Sequence, residues 1–237
     1  MKKLKVCMLS LTLLLSATIT HAQTADEVIA RHIAAIGGKE KIAQIISINV
    51  ESTIEVMGSS NSNKVNILNG KGYKSEFNFG GTKIIQCFTD NGGWFINPLM
   101  GVSAPTVMPN DDYNAGKDDM FVGGPLLDYA AKGNTVELKG IEKLGDKDAF
   151  KIVVTSPQHI VNTEFIDTTT YYIIKAVRNT NGQETSAVYT NFKTTDFGYT
   201  MAYTAEITLP QGLTITSTVS KVEFNPSTDA AAFDMPK

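Results

Sequence analysis

The sequence predicts a mainly β fold with a few helices, built on an antiparallel sheet. Three observations predict it. From Ser47 onward, apolar and polar residues alternate at period two in stretch after stretch, the pattern of strands with one buried face. Ahead of them, "ADEVIARHIAAIGGKEKIAQI" (residues 25–45) carries helical spacing instead. A single Pro- and Gly-rich segment, residues 98–133, interrupts the strands.

Residues 1–22 have the form of a secretory signal peptide. Lys2, Lys3 and Lys5 make a positive start, residues 6–19 form a mostly apolar run too short to span a bilayer comfortably, and Thr20-His21-Ala22 ends on a small residue. The expectation is cleavage after Ala22 and export of residues 23–237, as a single domain, to the periplasm of a Gram-negative bacterium. Cys7 lies inside the signal rather than after its apolar run, so no lipid anchor is expected, and no later run is long enough for a membrane helix. The net charge of −3 becomes more negative when the three lysines leave, which argues against nucleic acid as a partner. Cys87 is then alone, so no internal disulfide is expected, and "TKIIQCFTD" marks it as a small strand residue rather than a nucleophile.

The opening helix is well delimited. Thr24 as N-cap with Glu27 three residues on forms a capping box, and Asp26 and Glu27 suit the positive helix start. Ala25, Ile29, Ile33 and Ile36 make one apolar stripe, whereas His32 falls on the polar side and Glu27 and Arg31 are spaced to pair. Gly37-Gly38 ends the helix, and residues 39–45 form a short second one.

Strands follow. In "ISINVESTIEVMG", Ile48, Val50, Ile54 and Val56 oppose Asn49, Glu51, Thr53 and Glu55; in "GYKSEFNF", Tyr73, Phe77 and Phe79 oppose Lys74, Glu76 and Asn78. "NKVNIL" continues the pattern, and "TKIIQCFTD" and "GWFIN" flank an Asp90-Asn91-Gly92-Gly93 hairpin turn. Further strands are expected at 135–140, 149–155, 163–166, 171–178, 186–194, 199–209, 213–224 and 233–235. Inside the interruption, "PLLDYAAKG" has Pro at its start and Gly as its stop and predicts a short helix. The strands before the interruption are too few to close a core alone, so it is an insertion and not a domain boundary.

Catalytic patterns are missing. His32 and His159 sit in no H-E-x-x-H, "GVSAP" fails the nucleophile-elbow pattern at its last position, and there is no P-loop or dinucleotide fingerprint. "NDDYNAGKDDMF" fails as an EF-hand because Ala115 stands where glycine is needed and Phe121 where glutamate is needed, so a solvated acidic loop is expected. No enzyme activity, metal or cofactor is expected, and a hydrolase is the least favoured reading. The aromatic residues are the remaining feature. Phe77, Phe79, Phe88, Trp94 and Phe95 crowd the first strands, and Leu126, Leu127 and Tyr129 sit in the insertion. They describe either an ordinary core or an apolar concavity, left by a curved sheet that does not close and roofed by helices, which would suit acyl chains better than a polar metabolite.

Several segments together resemble one family. "TADEVIARHIAAIGGKEKIAQIISINVE" resembles the opening of LolA-like outer-membrane lipoprotein-sorting proteins. "GGWFINPLMG", "GPLLDYAAKGNTVELKGIEKLGDKDAFKIVV", "EFIDTTTYYIIKAVR" and "FNPSTDAAAFDMPK" resemble later motifs of that group in the same order, covering essentially all of residues 23–237. The resemblance implies the fold of the LolA/LolB/LppX group: a strongly curved antiparallel sheet, an unclosed β-barrel, with the N-terminal and insertion helices covering its concave face. It also implies a non-enzymatic carrier of lipoprotein or lipid acyl chains. The chain departs from the known carriers in one respect, because Arg31, Lys39 and Lys41 do not match the arginine that latches their lid. The candidate contacts for acyl chains are Ile29, Ile33, Ile36, Ile54, Val56, Phe77, Phe79, Phe88, Trp94, Leu126, Leu127 and Tyr129. The alternative is a cell-envelope scaffold or interaction module, meeting envelope partner proteins, with a core filled by its own side chains.

Overall fold

The computed structural model describes residues 23–180 and 182–237, so the expected signal peptide lies outside the described residues. Thr24 caps α1 (Ala25–Ala35) as the sequence predicts: its hydroxyl accepts from the Glu27 N–H, and the Glu27 carboxylate accepts from the Thr24 N–H at 2.9 Å. Replacing Thr24 with alanine is therefore expected to cost about 1 kcal/mol, read as a lower urea midpoint with an unchanged slope. Glu27 is thus committed to the cap and does not pair with Arg31, whose guanidinium donates to the Tyr171 hydroxyl at 2.8 Å. At the other end, the Gly38 N–H reaches the Ile33 carbonyl and the Gly37 N–H that of Ala34, the double bond pattern of a Schellman stop. Both glycines have positive φ, and a Cβ on Gly37 would come within 2.8 Å of the Gly198 carbonyl oxygen, so the stop also seats the helix against the sheet. A short α2 (Lys39–Ile42) leads into the sheet.

Every strand joins one antiparallel 13-stranded sheet. Its first half is β1 (Ser47–Val56), β2 (Ser59–Leu68), β3 (Gly72–Phe79), β4 (Thr82–Thr89), β5 (Gly92–Asn97) and β6 (Val102–Val107). The second half is β7 (Thr135–Leu144), β8 (Lys147–Thr155), β9 (Val161–Asp167), β10 (Ile173–Thr180), β11 (Gln183–Thr194), β12 (Thr200–Thr208) and β13 (Thr214–Phe224). Within each half, neighbours in sequence pair as hairpins, and β1 pairs with β13 to join the halves. Register shifts between Glu51 and Ser52, Phe95 and Asn97, Leu138 and Ile141, and Ile173 and Lys175 bend the strands.

This order has one consequence that decides the architecture. β6 and β7 are consecutive in the chain yet stand at opposite edges of the sheet. The segment read from sequence as one interruption, residues 98–133, thus contains strand β6, and only its remainder after Val107 is the connection that bridges the open side of the half-barrel. Edge strand β6 carries Pro105, whose missing N–H is tolerated only where no partner strand needs it.

Three expectations within the insertion and C-terminus are corrected. The acidic stretch expected to be a solvated loop is instead helix α3 (Asn110–Gly116), where Asp111 and Asp112 meet the positive N-terminal end and Gly116 is buried. "PLLDYAAKG" is a series of turns and no regular helix, because Asp128 takes a left-handed φ of 52 in its middle. The strand expected at 233–235 is replaced by a 3-10 turn, Ala230–Phe233, that Asp229 caps through the Ala231 N–H.

The core lies on the concave side. Val28, Ile29, Ile33 and Ile36 of α1 pack with Ile48 of β1, with Phe150, Ile152 and Val154 of β8, with Ile166 of β9, and with Val122 and Leu126 of the insertion. The stripe covers the sheet as expected, but over β1 and β8–β9 and not over Phe77 and Phe79. His32 is not on a polar face: it is 3% exposed, with Nδ1 2.8 Å from the Tyr171 carbonyl oxygen, and its burial lowers the ring pKa.

Candidate functional site: a divided concave chamber

The register fixes which side chains share the concave face. Ile54 on β1 opposes Asn61, and the same face continues through Asn63 to Phe77 on β3 and from Phe77 to Ile84 on β4. Tyr73 opposes Phe88 and Gln86 opposes Phe95, so Phe88 and Phe95 point inward. In the second half, Ala205 opposes Ser217 and Tyr189, and Glu164 opposes Ala176 and Ile152, so Tyr189 and Glu164 face the same concavity.

Two cavities occupy it. An inner one of about 380 Å³ lies against Ile36, Ile173, Tyr199, Tyr203, Ala205 and Val219. An outer one of about 650 Å³ lies against Ile84, Phe88, Phe95, Met100, Met108 and Pro210. Both volumes fall in the range of small-molecule sites, roughly 300–1,000 Å³. Asp119, in the 3-10 turn after α3, and Arg178, on β10, border both. The Arg178 guanidinium donates to the Asp119 carboxylate at 3.0 Å, so an ion pair from the insertion to the sheet partitions the chamber.

Glu164 is 6% exposed, and burial pushes its carboxyl up to about 7 against the pull of the Arg178 charge. Burial together with the Glu164 and Asp119 charges pushes the Tyr189 hydroxyl up to about 12. Asn162, two residues before Glu164 on the same face, is 8% exposed, and its Oδ1 has no hydrogen-bond partner among the described residues.

The insertion is tied to the N-terminal helices by polar contacts near a shallow groove. The Tyr129 hydroxyl donates to Asp26 at 2.6 Å, and the Lys39 ammonium pairs with Asp128 at 2.6 Å. Both partners of the Lys39 pair are largely exposed, and pairs of that kind add little stability.

The residues singled out from sequence divide accordingly. Phe88 lines the outer cavity and Ile36 the inner one. Ile29, Ile33, Leu126, Leu127 and Tyr129 line the groove between α1 and the insertion. Ile54, Val56, Phe77 and Phe79 share the concave face but border neither cavity, and the Phe77 and Phe79 rings lie 6.0 Å apart. Trp94 faces the other way. On the convex side it packs with Cys87 and Phe233, and its Nε1 donates to the Phe233 carbonyl at 2.8 Å. Cys87 is fully buried beside it, and burial pushes its thiol up to about 12, which keeps it protonated and inert. The polar residues of the partition, Asp119, Asn162, Glu164, Arg178 and Tyr189, were not singled out. Their one sequence signal is a parity: Glu164 stands in phase with Ile166, a charge on the buried side of a strand.

No group of three or more His, Cys, Asp or Glu side chains that could hold a metal occurs among the described residues, and none of their helices is long and apolar enough to cross a membrane. Each cavity has an apolar side and a polar one: the outer is also bordered by Gln86, Asn97, Asp112 and Gln183, and the Asn97 Oδ1 is buried with no partner among the described residues.

The described residues form a half-barrel with a roofed concave face and a divided interior. More narrowly, the fold is LolA-like. The chain is similar to a LolA superfamily protein from Nitrosomonas europaea, with a TM-score of 0.60 and 14% identity over 90% of this chain and 98% of that one. It is equally similar to a DUF1329 family protein from Desulfovibrio piger, at TM-score 0.60 and 12% identity over 90% and 98% of the two chains. A domain from Vibrio parahaemolyticus, named for outer membrane lipoprotein sorting, aligns at TM-score 0.57 and 16% identity over 86% of this chain and 96% of that one. No protein-family model and no curated protein matches the sequence.

Proposed function

We propose that this protein is an exported, non-enzymatic carrier that holds the acyl chains of a lipid or lipoprotein in its concave chamber, in the periplasm. One observation carries the reading: the cavity of about 650 Å³ on the concave face, with one side walled by Ile84, Phe88, Phe95, Met100 and Met108 and the other by polar residues that include Asn97, Asp119 and Arg178. Each methylene moved there from water gains roughly 0.8 kcal/mol, so a long chain binds without needing a polar handle. The roof over the cavity is the bridging insertion, held partly by exposed polar contacts that can break and re-form. The LolA-like fold and the signal-like opening of the sequence support carriage outside the cytoplasm.

The test is extraction. Protein purified from its own host and extracted with organic solvent is expected to release stoichiometric lipid into the mass spectrum, and delipidated protein is expected to take lipid up again. Phe95→Glu places a charge on the outer wall at a partly exposed position and is expected to weaken uptake by about tenfold or more, with an unchanged circular dichroism spectrum. Lipid-free native protein that takes up no lipid overturns the reading. It would favour the second one, a scaffold module, which rests on the α1 isoleucines filling their half of the concavity with the protein's own side chains.

A further inference from the structure

Beyond an apolar wall, the chamber contains a polar patch that acyl chains alone do not explain. Glu164 and Asn162 are each more than nine-tenths buried and stand side by side on β9, roughly 6–7 Å apart along the strand. Both border the inner cavity. The Asn162 Oδ1 has no partner among the described residues, and the Arg178 hydrogen bond goes to Asp119, not to Glu164. A buried acceptor left without a donor is unfavourable unless something else supplies one. Arg178 adjoins the pair with more N–H donors than its single bond to Asp119 uses.

We propose that Glu164, Asn162 and Arg178 form a head-group subsite for an uncharged, hydroxyl-bearing amphiphile, such as a monoacylglycerol, whose chain runs through the chamber; this rests on the acyl-chain reading above. The charge balance selects this head. An anionic head would have to displace Asp119 from Arg178 and then sit beside the Asp119 carboxylate. A cationic head would have to take Asp119 from Arg178 and then sit beside the freed guanidinium. A hydroxyl avoids both conflicts: its O–H donates to Asn162 Oδ1 or to a Glu164 oxygen, and its oxygen accepts from Arg178. Two hydroxyls on adjacent carbons reach both acceptors, with bonds of about 2.7–2.8 Å on each side. The same cavity is also bordered by Asp119, Tyr189, Tyr199, Tyr203 and His32, and burial lowers the His32 pKa and so disfavours a second cation there.

The experiment compares three probes with the same oleyl-type chain: 1-oleoylglycerol, oleate and oleylamine. Each is titrated against delipidated full-length protein by displacement of a fluorescent fatty-chain probe. The neutral glyceride is expected to bind about tenfold more tightly than either charged analogue. In Glu164→Leu that preference is expected to shrink to about twofold or less while chain binding persists. Asn162→Ala, which only removes atoms, makes the same comparison if Glu164→Leu does not fold. Equal affinities for the three probes, or a preference unchanged in the variants, overturn the subsite and leave the acyl-chain reading intact. Failure of all three probes to bind overturns both.

Discussion

Phe88→Ala is expected to lower the stability of this protein by about 3–5 kcal/mol, the range for deleting a fully buried phenylalanine ring. Phe88 is 1% exposed and joins the sheet to the insertion. Its ring lies 5.8 Å from that of Tyr73 on β3 and 6.3 Å from that of Tyr113 on α3, and Met108 and Met120 complete its cluster. Gly116 of α3 lies directly on the ring, so tightly that any Cβ there would collide with Phe88. The fit explains the large expected value: the helix backbone approaches too closely to collapse into the space the ring vacates. Gly116→Ala is expected to destabilise in the same direction, by pushing the helix off the ring. Urea denaturation measures both. A loss below about 1 kcal/mol for Phe88→Ala would mean that α3 is not anchored there, and the roof of the outer cavity would need another fastening.

The second large effect is a pH dependence set by Glu164. Its carboxyl rises from an ordinary 4.5 to about 7 on folding, because burial disfavours the charged form more than Arg178 restores it. The unfolded chain gives up this proton near pH 4.5, whereas the folded chain holds it until about pH 7. Between those values the folded state binds more protons, so stability falls as pH rises, by about 3 kcal/mol across the window, and this contribution is level outside it. His32 acts in the opposite sense: its lowered pKa means that stability is lost as pH falls below 6.5. Glu164→Gln removes the first effect and leaves the second. The stability of the variant relative to the parent is therefore expected to grow by about 3 kcal/mol from pH 4.5 to 7, and His32 cancels in the difference. Parallel stability curves for the two proteins would show that Glu164 is ionised in the folded state well below pH 7. Arg178, Asp119 and Tyr189 are the charged and titratable groups around it; the Arg178 pKa is raised and the Tyr189 hydroxyl is pushed up to about 12, so both keep their protons across this window.

Local features of the chain were legible from the start because they rest on neighbours in sequence. The cap at Thr24 needs only Glu27 three residues on, and the glycine stop needs only two residues that tolerate positive φ. The strands show as alternation because each buries one face. Even α3 left a readable trace, since Asn110, Asp111 and Asp112 after Pro109 suit a helix start; the acidic composition masked it.

What the sequence determined by itself was the set of elements, their mainly β class and the amphipathic stripe of α1. Which face each strand turns inward was decided by the tertiary structure, because a strand's two faces are equivalent until its register with a neighbour is set. Phe95 enters the chamber and Trp94 leaves it for that reason alone. The pairing of β1 with β13 is likewise a contact between the two ends of the described chain, invisible to any local pattern. It places β6 and β7 at opposite edges and so turns an irregular insertion into a bridge over the concavity. The polar partition follows from the same closure: Asp119 arrives with the bridge, Arg178 and Glu164 come from neighbouring strands, and only the folded sheet brings the three together where burial raises the Glu164 pKa.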